Sequence, residues 1–172
     1  LVVTSIGTER GRLKITGLRD PLAADPASLL QESGLKSDQV VGSWNPYYAL
    51  DPDLVLKRAG TLLAPPAGLQ LAMESSRLVA DGVAPVEWLQ QSRTLARLIP
   101  GVSLYDDRGA ISQTLIQLTQ EVTGAWILFE SGVGAPLSTD QLREVRHLAD
   151  ILHRLDGLAQ MVDTSVLVHI TG

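Results

Sequence analysis

The residues that could do chemistry are few, and their spacing is instructive. His147, His153 and His169 are the only imidazoles. A two-histidine zinc helix holds its ligands four residues apart, so that both project from one face. His147 and His153 are six apart on a helix-like stretch, which turns them to different faces. They read as surface residues, and neither a metal nor any other cofactor is expected. Asp106 and Asp107 are adjacent carboxylates, but acid–base work needs a second group in a tuned environment. With Arg108 beside them they read as a solvated turn at a strand end. The glycine-rich "GVGAP" at 132–136 lacks the Lys and Ser/Thr of a phosphate loop. Cysteine is absent, which excludes disulfides, thiolate metal sites and thiol nucleophiles. No nucleophile–base pair stands out, and the chain reads as non-enzymatic.

Two clusters are candidates for binding. Arg19 and Asp20 could clamp a ligand, although the plainer expectation is a local ion pair with the carboxylate near a helix start. "SWNPYYAL" brings Trp44, Tyr47 and Tyr48 within five positions. These rings could form a platform for a glycan, a lipid headgroup or another protein. The plainer expectation is a hinge, with the rings buried between two neighbouring units, because aromatics bury large areas at such seams. Trp88 and Trp126 are expected inside regular elements, as core or interface.

The elements that must hold these residues follow a repeated punctuation. "RLKITGLRDP", "RLVADGVAP" and "ILFESGVGAP" each alternate like a strand, reach Gly17, Gly82 or Gly132, and then meet a Pro. Each predicts the same strand-to-helix corner, with Gly supplying backbone freedom at the turn. Asp25–Pro26 and Asp51–Pro52 have the form of a helix cap and first position. Gly34 and the Pro65–Pro66 pair read as helix stops. The fold class expected is α+β, built of small repeated units. Residues 1–50 form β-β-α-β, residues 51–110 α-β-β-α-β, and residues 111–172 α-β-α-β. In the last unit "AWILFES" and "TSVLVHITG" are expected strands. The long helix between them should bury Leu142, Val145, Ala149 and Leu152, joined by Leu148, Leu155 and Leu158. Ser138 and Gln141 should form its capping box.

The middle unit resembles a BON domain, carried by "LQLAMESSRLVADGVAP" and "LARLIPGVSLYDD", with Val79 to Val83 and Ile99 to Val102 matching the family pattern. The first unit resembles a degenerate BON repeat with the longer corner "GLRDPLAADP". The third, "WILFESGVGAPLSTDQLREVRHLADIL" with "VLVHITG", resembles the start of an OmpA-like domain. Two tandem BON-like units followed by that start resemble an OmpA-family protein of the bacterial envelope. The resemblance implies a non-enzymatic module that associates with membrane or cell wall in the periplasm or at the outer membrane. Its implied partners are envelope lipid, peptidoglycan through residues downstream of this stretch, or another protein domain. In OmpA-like domains an Asp and an Arg beyond the last strand hold the peptidoglycan diaminopimelate group, and no position here matches them. The alternative is a structural, protein-binding spacer or dock in a larger chain, which leaves the cytoplasm open.

Bulk composition agrees with a packed domain. Of the 172 residues 45% are hydrophobic, mostly Leu, Val, Ile and Ala, which is ample for a core. The net charge of −5 argues against nucleic acid and against adhesion to anionic lipid. No apolar run is long enough for a bilayer span. Without an initial Met or a signal segment, the chain reads as part of something longer.

Overall fold

The computed structural model describes residues 1–34, 36, 38–127 and 137–169. Among these the fold is α+β, with two three-stranded sheets and five helices.

The first sheet contains β1 (Val2–Glu9), β2 (Arg12–Arg19) and β3 (Val40–Pro46), and a short helix α1 (Pro26–Glu32) connects β2 to β3. β1 pairs antiparallel with β2, and β2 pairs parallel with β3. Arg10 and Gly11 both have positive φ, the signature of a tight two-residue hairpin that suits the strand twist. Asp25 caps α1 through Ala27 N–H, and Gly34 follows it at φ 78°.

The second sheet follows helix α2 (Pro52–Leu63) and contains β4 (Leu69–Glu74), β5 (Arg77–Ala84) and β6 (Leu104–Ser112). Helix α3 (Val86–Ala96) connects β5 to β6. The strand order and senses repeat those of the first sheet: β4 antiparallel to β5, β5 parallel to β6. Asp51 caps α2 through the amides of Asp53 and Leu54. Val55, Ala59 and Leu63 recur every four residues on the face of α2 that packs, with Ala96 and Ile99, over Leu78. Leu69, Ala80, Ala84 and Leu89 continue this core on the same sheet.

Gly17 and Gly82 do not form the expected turn: each lies inside its strand, two residues before the end. Gly17 pairs with Val3 and Gly82 with Leu69. A methyl group on Gly17 would strike the carbonyl oxygen of Val2, and one on Gly82 that of Gly68. Each glycine therefore lets the second strand pass close to the backbone just before its partner. Only Gly82 has positive φ, at 123°. The third expected corner, at Gly132, lies outside the described residues.

In the third expected unit both helices are present, and the other elements depart from the sequence expectation. β6 continues to Ser112, past the expected boundary at 110, because β5 offers it a pairing edge as far as Ala84. It then passes directly into α4 (Gln113–Thr123), capped by the Ser112 side chain. Residues 125–127 and 164–169, the described parts of two expected strands, have no regular structure. β-branched residues favour a strand only when an edge pairs with them, and none of the described strands does so. Helix α5 (Thr139–Met161) starts with the expected Ser138–Gln141 capping box. Its buried stripe is Ile151, Leu155 and Ala159, while Leu142 and Ala149 are exposed. α4 supplies Leu118 to the shared core, and the first turns of α5 bury no residue fully.

Candidate functional site at the junction of the two sheets

β2 ends at Arg19, and the next residue, Asp20, is fully buried. Its Oδ1 accepts from Leu22 N–H at 2.9 Å, and its Oδ2 from Ala49 N–H at 2.7 Å. Arg58 of α2 donates from Nη2 to the same Oδ2 at 2.7 Å. The guanidinium also donates from Nη1 to Pro100 O at 2.6 Å and from Nη2 to Ala49 O at 3.3 Å. One ion pair thus joins the end of β2, the segment before α2, α2 itself and the loop after α3. Burial pushes the Asp20 carboxyl up, but the amides of Leu22 and Ala49 and the Arg58 charge outweigh it and hold it below the usual range.

The Tyr48 ring covers this pair, with Arg58 Cζ 4.9 Å from its centroid, a cation–π distance. Leu22, Leu62, Leu98 and Pro100 continue an open groove of about 530 Å³ over it. Three of these side chains, Leu22, Leu62 and Leu98, are exposed. The site therefore offers an aliphatic and aromatic rim above a charge pair that is already neutralised, which suits packing and not proton transfer.

The five residues singled out from sequence are only partly brought together. Asp20 and Tyr48 meet at the junction. Arg19 pairs with Asp25 at 3.7 Å, not with Asp20, and its Nε is buried without a hydrogen-bond partner. The local Arg19–Asp20 pair is thus replaced by a long-range one, since successive residues of an extended chain point to opposite sides. The aromatic trio is divided in the same way. Trp44 is half-buried, and its indole lies over Gly17 and Gly42, where any added methyl group would meet it. Tyr47 is half-buried, and its N–H donates to Arg19 O at 3.2 Å. Tyr48 is 59% exposed. A common burial between units one and two is not what the rings adopt.

Sequence reasoning missed Arg58. It sits three residues after Val55, beside the buried stripe of α2, and that flanking position was the available signal. It also misplaced Asp106 and Asp107, which lie inside β6 and not in a solvated turn. Asp106 pairs with Arg108 at 2.7 Å and Arg77 at 3.6 Å, and hydrogen bonds from Arg108 hold its carboxyl well below the usual range. Asp107 accepts from Arg93 Nε at 2.6 Å, and Arg93 Nη2 reaches Val162 O at 2.9 Å, tying α3 and β6 to the end of α5. Trp88 is in α3, where its indole N–H caps α2 through Leu63 O at 2.7 Å. Trp126 is exposed and outside any regular element. All three histidines are exposed, and no cluster of metal-ligating side chains occurs among the described residues. No helix among the described residues is long and apolar enough to cross a membrane.

Neither a family model nor a curated protein matches this chain.

Proposed function

We propose that the chain is a non-enzymatic module of an OmpA-family envelope protein, with two BON-like units in tandem ahead of an OmpA-like start. The observation that carries this reading is the repetition of one plan in the two sheets: order, strand senses and the close-packed glycine two residues before the second strand ends. The fate of the ionisable groups also supports it. Asp20, Asp106 and Asp107 are engaged by Arg58, Arg77 and Arg93, which join elements of the fold, a use of charge that fits a recognition module better than a reaction centre. The Ser138 capping box opens a long helix where the OmpA-like resemblance places one.

The test is fractionation of the cells that make the protein, using antibodies raised against this chain. Recovery with the envelope is expected. Recovery in the soluble cytosol would overturn the envelope reading in favour of a spacer or dock. Residues 1–172 alone should not pellet with purified peptidoglycan, because a zwitterionic ligand needs an unengaged cation and carboxylate in one pocket, and Asp20 and Arg58 beneath the groove are bound to each other. Saturable pelleting that free diaminopimelate competes away would contradict this.

A further inference from the structure

We draw no further inference here: the strongest candidate, the open apolar groove at the junction of the two sheets, where Leu22, Tyr48, Leu62 and Leu98 stand exposed over the Asp20–Arg58 pair, carries none because nothing in the structure shows what covers it.

Discussion

The first and second sheets of this protein have the same strand order and senses but different cores. The helix between the parallel strands is α1 in one and α3 in the other. α1 spans seven residues and buries only Pro26, whereas α3 spans eleven and buries Val86, Leu89, Ser92 and Ala96. β4 alternates in burial, while every residue of β1 is exposed. The strand order is shared, and the covering helices decide how much apolar surface leaves water. The first sheet therefore leans on its junction with α2, through Asp20 and Arg58, more than on a core of its own.

The largest effect should come from breaking that junction. Asp20→Ala leaves the Arg58 charge buried without its partner, and such losses cost about 3–5 kcal/mol. A shift in the urea midpoint measures this, and a loss below about 1 kcal/mol would mean that the pair is ornamental. The pH dependence sharpens the same point. Because the Asp20 carboxyl lies below its ordinary value, its contribution is complete above about pH 3.9, the unfolded-chain value. It fades as the pH falls through the lower folded value. Asp20→Asn should therefore be less stable at neutral pH, with a shallower further loss on acidification than the wild type.

Core truncations should separate the sheets next. Leu78→Ala removes a fully buried side chain beneath α2, at about 2–5 kcal/mol. Leu13→Ala, its half-buried counterpart, should cost about 1 kcal/mol. Equal costs in thermal or chemical melts would mean that the first sheet has a core of comparable quality.

The smallest effects belong to the aromatic residues. Trp44→Ala should fall well short of the about 3–5 kcal/mol of a fully buried ring, because the indole is only half-buried. Tyr48→Ala should cost about 0.5–1 kcal/mol, the range of an exposed cation–π contact. A Tyr48 effect exceeding that of Trp44 would move the structural weight from the sheet face to the junction rim.

What was legible in the sequence was local. Asp25–Pro26 and Asp51–Pro52 announce helix starts because the cap and the proline act within one turn. Alternation before Gly17 and Gly82 announces the two second strands, since the period of two is intrinsic to the chain. The site was legible only in part, because Asp20 finds its partner 38 residues away in Arg58, and no local pattern specifies that pairing. The stretch at 164–169 shows the opposite failure. Its β-branched residues read as a strand, but a strand is completed by an edge elsewhere, and no described strand pairs with it. The α5 stripe was displaced for a similar reason: apolar spacing marks a helix, and the partner, here α4, selects which residues are buried.

Native-state amide hydrogen exchange, read strand by strand, tests the central contrast most directly. It reports the free energy at which each region opens. The account predicts slow exchange in β4, β5 and β6, near the limit of global unfolding, and markedly faster exchange in β1, β2 and β3, with Asp20→Ala accelerating the first sheet most. Equal protection of the two sheets, or an Asp20→Ala effect confined to the second, would contradict it.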